Sequence, residues 1–215
     1  MSDKKQKVFE FRGIDNLYIA KILKDDNETD GGYECEKPIY LSPVAEITKS
    51  TDTSSEEKYY DNKALLVING EGADTIGITL APPELKLLAK ITGKSFDEET
   101  GMLVDGERDD EYYALMYRTK GTDGEYRYVV RSKGTFSIPD ETNATENNGT
   151  DSNNTSIEYK GIYTTHEFNK GKYNGTSWEK GAVKGIVIDT RYGKADLSKF
   201  FDSVQTPDTI KKVSE

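Results

Sequence analysis

Histidine, cysteine and tryptophan each occur once in this 215-residue chain, and proline only six times. The single cysteine, Cys35, cannot close a disulfide within the chain, so folding is not expected to depend on an oxidising compartment. The single histidine, His166, has no second imidazole or nearby thiol with which to share a metal. A hydrogen-bonded structural role suits its strand-like setting, TTHEF. No stretch approaches the ~18 apolar residues of a membrane span, and the opening MSDKKQKVFEFRG lacks the apolar run of a cleaved signal. A soluble chain that is not exported by a cleaved signal is the expectation. It decides how the Asn-x-Ser/Thr triplets at Asn27, Asn143, Asn148, Asn153, Asn154 and Asn174 are read: as solvated loop residues rather than glycan acceptors.

Aliphatic residues are also scarce. Leu, Ile, Val and Phe make up 44 of 215 residues, close to the roughly 20% level at which disorder competes with folding. Fourteen tyrosines and 19 glycines pull the other way. Tyrosine buries an apolar ring while keeping its hydroxyl wet, and glycine permits the tight turns of a sheet protein. A single domain with a thin core, completed by neighbouring molecules, follows from this balance, with residues 1 to 10 and 206 to 215 as arms around a domain from 11 to 205.

Apolar residues alternate at period two over most of the chain. Strands are expected at Leu17 to Leu23, Pro43 to Thr48, Lys58 to Tyr60, Leu65 to Ile68, Thr75 to Leu80, Tyr112 to Thr119, Tyr126 to Ser132, Ile157 to Thr165 and Val183 to Thr190. Two helices are expected. One runs from Pro83 to Thr92, where Leu85, Leu88 and Ile91 fall on or near one face and Gly93 ends it. The other runs from about 196 to 204, where Leu197, Phe200, Phe201 and Val204 recur at helical spacing before Pro207. The class is mainly β. Two polar, low-complexity stretches, Thr48 to Lys58 and Glu141 to Ser156, hold too little apolar surface to offset the entropy of ordering and read as long loops.

Motifs with chemical associations fail on spacing. TGKS at Thr92 to Ser95 has Leu88 where a phosphate loop needs its first glycine, and a helix-ending Gly93 accounts for it. In DDNETDGG, Asp26, Glu28 and Asp30 alternate as in a calcium loop, but the twelfth position is Lys37 instead of a bidentate glutamate. The acidic run DGERDDE at Asp105 to Glu111 has nothing to hold two carboxylates at the separation that glycoside hydrolysis requires. A nucleophile elbow is absent.

The stretch MYRTKGTDGEYRYVVRSK, Met116 to Lys133, is cationic within a chain of net charge −10. An Asp123-Gly124 two-residue turn would pair Thr122 with Glu125. It would put Lys120 across from Arg127, Arg118 across from Val129 and Met116 across from Arg131 on an outer face. Leu115, Tyr117, Thr119 and Gly121 would then line the core side. Like charges facing each other destabilise a pair by up to about 1 kcal/mol unless an anion or water screens them. Three readings remain open: a solvated outer face, a contact with carboxylates of a neighbouring copy, or a nucleic-acid contact, which the acidic remainder of the surface disfavours.

The ordered segments FRGIDNLYIAKI, EKPIYLSPVAEI, EKYYDNKAL, DTIGITLAPPELKLLAKITGKSFDEETG and YYALMYRTKG…YRYVVRSKGTFSIPDET resemble the major tail protein family of long-tailed bacteriophages of Gram-positive hosts, from about Phe11 to Thr190. The resemblance implies a β-sandwich or barrel with a flanking helix that forms hexameric rings. Such rings stack around the tape measure protein into the tail tube, the conduit for genome ejection in the virion, between tail terminator and distal tail proteins. It implies no catalytic residue, cofactor, metal or membrane. Six copies at −10 each carry −60, and an acidic bore would let DNA pass without adhering. On this reading Arg118, Lys120, Arg127 and Arg131 meet carboxylates of an adjacent subunit or ring, and charge reversal at Arg127 and Arg131 weakens assembly while the monomer stays folded. The resemblance also places Thr48 to Lys58, with Thr48, Asp52, Ser54 and Glu56, at ring-to-ring contacts, and Glu141 to Ser156 is assigned to the outer surface. A β-sandwich module whose tyrosine-rich strands bind carbohydrate or a host surface is the alternative.

Overall fold

A computed structural model of the chain describes residues 8 to 28, 32 to 139 and 154 to 213. Strands take 56% of the chain and helix 4%, so the mainly β expectation holds. The first part of the chain gives β1 (Phe11–Asp25), β2 (Tyr33–Cys35), β3 (Ile39–Tyr40), β4 (Val44–Tyr60) and β5 (Lys63–Leu80). Then come α1 (Leu85–Thr92), β6 (Ser95–Asp97), β7 (Met102–Val104), β8 (Tyr113–Gly121) and β9 (Tyr126–Phe136). The last part supplies β10 (Thr155–Gly161), β11 (Phe168–Tyr173), β12 (Trp178–Gly181) and β13 (Gly185–Asp189). One antiparallel sheet runs β2-β1-β8-β9-β10-β5-β4, with β3 beside β1 and β13 beside β9. It forks at β9, because residues 127 to 131 pair with β13 while 134 to 136 pair with β10. Two small hairpins, β6-β7 and β11-β12, stand apart from this sheet.

Alternation along β1, β8 and β9 sorts side chains onto two faces, and both are covered. Leu17, Ile19, Leu115, Tyr117 and Val129 join Ile76, Ile78 and Tyr159 in the main core, which α1 closes with Leu87, Leu88 and Ile91. The opposite face offers Tyr18, Met116, Tyr128 and Val130, which Leu197, Phe200, Phe201 and Val204 cover. Tyr18 stacks on Phe201 at 5.1 Å and Tyr128 meets Phe200 edge-on at 4.9 Å.

Helix α1 begins at Leu85, after Pro83 and the cap residue Glu84. Gly93 ends it in the left-handed conformation, φ 68°, as TGKS implied. The second expected helix, 196 to 204, does not form. Turns replace it, with Phe200 N–H donating to Leu197 O (3.2 Å) and Asp202 N–H to Lys199 O (3.1 Å). The apolar spacing was real, but the aromatic sheet face beneath and the Ala195–Lys212 bridge fix this chain segment more strongly than helical propensity does. Residues 206 to 213 pack back on the body, where the Asp208 carboxylate accepts from the N–H groups of Asn169 (2.9 Å) and Lys170 (3.0 Å).

The stretch Thr48 to Lys58 is not a loop. It lies inside the 17-residue β4, paired with β5 from Val44–Leu80 to Tyr60–Lys63 with register shifts after Val44, Thr51 and Lys58. Asp61 and Asn62, with φ of 49° and 59°, form the two-residue turn that closes this long hairpin. The partner strand supplies the backbone bonds that offset ordering entropy, a contribution invisible in β4's own composition. The other expected loop, Glu141 to Ser156, lies outside the described residues up to 153, and its last two residues open β10.

The β8-β9 pairing also differs from expectation, by one residue. Gly121 N–H donates to Glu125 O (2.7 Å) and Gly124 N–H to Gly121 O (3.1 Å), with Gly124 at φ 88°. This is a three-residue loop with a left-handed glycine in place of a two-residue turn. The pairs become Lys120–Tyr126, Thr119–Arg127, Arg118–Tyr128, Tyr117–Val129, Met116–Val130 and Leu115–Arg131. A one-residue slip moves every β9 side chain to the other face.

Candidate assembly surface

The slip dissolves the expected cationic ribbon. Arg118 and Lys120 share a face with Tyr126 and Tyr128, whereas Arg127 and Arg131 lie on the opposite face. Each arginine finds a carboxylate within the chain. Arg118 grips Asp15 through two 2.8 Å hydrogen bonds and lies 4.3 Å over the Tyr126 ring. The Asp15 carboxylate thereby raises the Arg118 pKa above its ordinary value. Arg127 pairs with Asp189 (3.1 Å) and covers Phe11. Arg131 is largely buried, 3.8 Å from Asp74. A reversed charge at Arg131 would face that buried carboxylate, so the folded monomer expected of that substitution is corrected to a destabilised one. Lys120 is exposed and has no ion pair among the described residues, only the Tyr126 ring at 5.7 Å.

The other four expected interface residues lie on the β4-β5 hairpin. Thr48 sits opposite Gly77 in its inner half, and Ser54 opposite Gly70 and Glu56 opposite Ile68 in its outer half. Asp52 lies at the irregularity between Thr51 and Thr53. The hairpin changes character at Asp74. From Asp74 to Leu80, β5 has β10 on one side and β4 on the other, and every second residue is buried. From Lys63 to Glu71 it has only β4 among the described residues, and every residue is exposed. The outer part is an arm about 30 Å long at roughly 3.4 Å per residue. Leu65, Leu66, Val67 and Ile68 are 65%, 49%, 51% and 48% exposed, and Tyr59 and Tyr60 stand exposed nearer the turn, across from Ala64 and Lys63. Four consecutive apolar residues put apolar surface on both faces of one strand, the pattern of a strand covered on both sides.

The arm's root is held by charge. Asp74, buried, accepts from Thr51 Oγ1 (2.8 Å) and is ringed by Lys49 Nζ (3.0 Å), Lys184 Nζ (3.4 Å) and Arg131 (3.8 Å). Burial opposes its ionisation, but the Thr51 hydroxyl and Lys49 outweigh that cost and hold its carboxyl below the usual range. Lys184 also binds Glu71 at 2.6 Å, so one ammonium ties the arm to the chain entering β13 across the fork of the sheet. Nothing in the sequence marks this cluster, because its members come from β4, β5, β9 and the residue before β13.

The motifs set aside on spacing are absorbed by the fold. Asp25, not Asp26 or Glu28, is the buried carboxylate of DDNETDGG; it binds Lys133 Nζ (2.5 Å) and the N–H groups of Thr165 and His166. Asp30 lies outside the described residues. Three or more metal-ligating side chains do not cluster anywhere among the described residues. His166 is hydrogen-bonded as expected, its Nδ1 2.8 Å from Asp26 O and its ring edge-on to Phe168. The acidic run disperses into pairs of Asp105 with Lys94, Asp110 with Arg108 and Glu111 with Lys21. Burial pushes the Cys35 thiol up to about 11, far from a thiolate at neutral pH. Among the described residues, no helix is long and apolar enough to cross a membrane. Compared with known proteins, the chain matches no family model and no curated sequence.

Proposed function

We propose that this chain is a structural subunit that assembles with copies of itself into stacked hexameric rings, forming a bacteriophage tail tube around a tape measure protein. The observation that carries this reading is the β4-β5 arm. A lone two-stranded ribbon is marginal in water, and this one exposes Leu65 to Ile68. Covering those four half-exposed side chains would contribute roughly 1 kcal/mol each at about 25 cal/mol per Å². Adjacent copies would supply the cover and pair the free backbone edges of β5 and β4, as ring closure does for sheet edges. Net charge −10 per copy suits a bore through which phosphates slide. The resemblance in ordered segments supplies the assembly's identity, and Thr48, Asp52, Ser54 and Glu56 lie on the hairpin that would dock between rings.

The test is the state of the full chain as its concentration rises. Rings or tubes under the electron microscope would support the reading; a compact monomer at every concentration would sink it. One observation favours the second reading, a carbohydrate- or host-surface-binding module. Tyr173 and Trp178 form an exposed ring pair with centroids 5.2 Å apart. That reading expects a monomer whose tryptophan fluorescence shifts on adding an oligosaccharide.

A further inference from the structure

The ring pair belongs to a surface with a second property, its charge. The β11-β12 hairpin carries Lys170, Lys172 and Lys180 against one carboxylate, Glu179. Glu179 is already engaged by the Asn174 amide at 2.6 Å. The three lysines are exposed and have no ion pair among the described residues. The Asp208 carboxylate also reaches the hairpin, where the N–H groups of Asn169 and Lys170 hold it, and Lys211 and Lys212, exposed and without an ion pair among the described residues, follow shortly after it in the chain. Between this hairpin and β13 runs a groove of about 420 Å³ whose apolar lining includes Trp178, Val183, Ile186, Val187, Pro207 and Ile210. The outer backbone edge of β13 adjoins it, since among the described residues β13 pairs with β9 alone. In a chain of net charge −10 this is a cationic, apolar trough beside an open strand edge.

The arm has the opposite charge and the same apolar character. Residues 52 to 71 hold five carboxylates and two lysines around Leu65 to Ile68. Asp52, Glu57 and Asp61 have no ion pair among the described residues. The groove beside α1 is a competing receptor of larger volume, about 940 Å³, but its rim is already neutralised. Lys86, Lys90 and Lys94 are bound by Glu98 (2.5 Å), Glu36 (2.6 Å) and Asp105 (2.8 Å). An incoming acidic ribbon would have to displace those partners, whereas at the β11-β12 trough it meets free lysines.

We infer that the trough between β11-β12 and β13 is the receptor for the β4-β5 arm of a second copy. The arm's apolar strand lies along β13 against Trp178 and Val187, and its carboxylates meet Lys170, Lys172 and Lys180. Apolar burial provides affinity, and charge fixes direction and partner. The contact is heterologous, arm to trough, so it propagates from copy to copy and leaves each molecule one arm to give and one trough to fill. This rests on the assembly reading above and names its contact.

Two populations of full-length chain in a Cys35→Ser background test it, one bearing Leu66→Cys and the other Val187→Cys. They are mixed at a concentration where assemblies form and oxidised, and the link is mapped by mass spectrometry. The 66-to-187 link is expected in at least tenfold excess over the link made when Leu85→Cys, beside α1, replaces Val187→Cys. Lys172→Glu with Lys180→Glu should cut the 66-to-187 yield severalfold, and adding Glu57→Lys to the arm population should restore it. Assemblies that form but link to the Leu85→Cys population overturn the trough while leaving self-assembly intact. A chain that stays monomeric under all conditions overturns both.

Discussion

The two halves of β5 are equally apolar and fare oppositely. Ile76, Ile78 and Leu80 alternate with Thr75, Gly77 and Thr79, and each is at most 2% exposed. Leu65, Leu66, Val67 and Ile68 run consecutively and are about half exposed. One strand passes from the middle of a sheet into a two-stranded arm, and β10, which ends at Gly161 opposite Asp74, marks the boundary. Below that point alternation is enough, because one face meets the core. Beyond it the sequence is apolar on both faces although none of the described residues covers either face. The monomer therefore explains the inner half, and the proposed assembly is what would cover the outer half.

Asp74, at that boundary, should be the most sensitive position. Asp74→Asn removes the carboxylate that Lys49, Lys184 and Arg131 share; Glu71 still holds Lys184, but the largely buried Arg131 loses its ion pair, which is expected to cost about 3 to 5 kcal/mol in denaturant unfolding. Ile78→Ala in the inner half should cost about 3 kcal/mol by the same measurement, from lost burial plus a cavity. Leu66→Ala in the arm should change monomer unfolding by less than about 0.5 kcal/mol and yet raise the concentration at which assemblies appear, as read by sedimentation. A large loss of monomer stability from that last substitution would mean that the arm is packed within its own molecule, and the contrast would fail.

Acid sharpens the same contrast. Asp74 and Asp25 both titrate below their ordinary range in the folded protein. At Asp25 burial works against ionisation, but the Lys133 ammonium and the His166 and Thr165 N–H groups outweigh it. Each group binds its proton more tightly when unfolded, so its stabilisation is complete above the ordinary carboxyl value of 3.8 and drains away as pH falls through the lower folded value. Thermal unfolding should show a melting temperature that is flat with respect to these groups near neutrality and falls below about pH 4. In the Asp74→Asn chain that fall should be shallower.

Elements that depend on local pattern were legible in the sequence. β1, β8, β9, β10, β13, parts of β4 and β5, and α1 with its Gly93 terminus follow from periodicity and capping. The short β2 and β3 and the β6-β7 and β11-β12 hairpins carry too few alternating residues to be read that way, and three further features were misread. Ser, Thr, Asp and Glu across Thr48 to Lys58 read as a loop because the apolar half of that ribbon, Leu65 to Ile68, sits on the other strand. The β8-β9 register turned on whether Gly124 was the second residue of a two-residue turn or the left-handed close of a three-residue one, and Asp-Gly admits both. The C-terminal segment has helical spacing but conforms to the aromatic face of Tyr18 and Tyr128. Of the expected interface residues, Thr48, Asp52, Ser54 and Glu56 share one hairpin, while Arg118, Arg127 and Arg131 are separated and internally paired. Tyr59, Tyr60, Trp178 and the Asp74 cluster went unmarked, since only the folded chain brings out their exposure or proximity.

Shortening the arm tests the central claim most directly. Residues Ser54 to Gly70 are replaced by a two-residue Asn-Gly turn, which keeps the Glu71–Lys184 pair, and the shortened chain is imaged beside the full chain at matched concentration. The account expects rings or tubes from the full chain, and a folded monomer of unchanged melting temperature that never stacks from the shortened one. Equal assembly of the two chains, or a full chain that remains monomeric throughout, would contradict it.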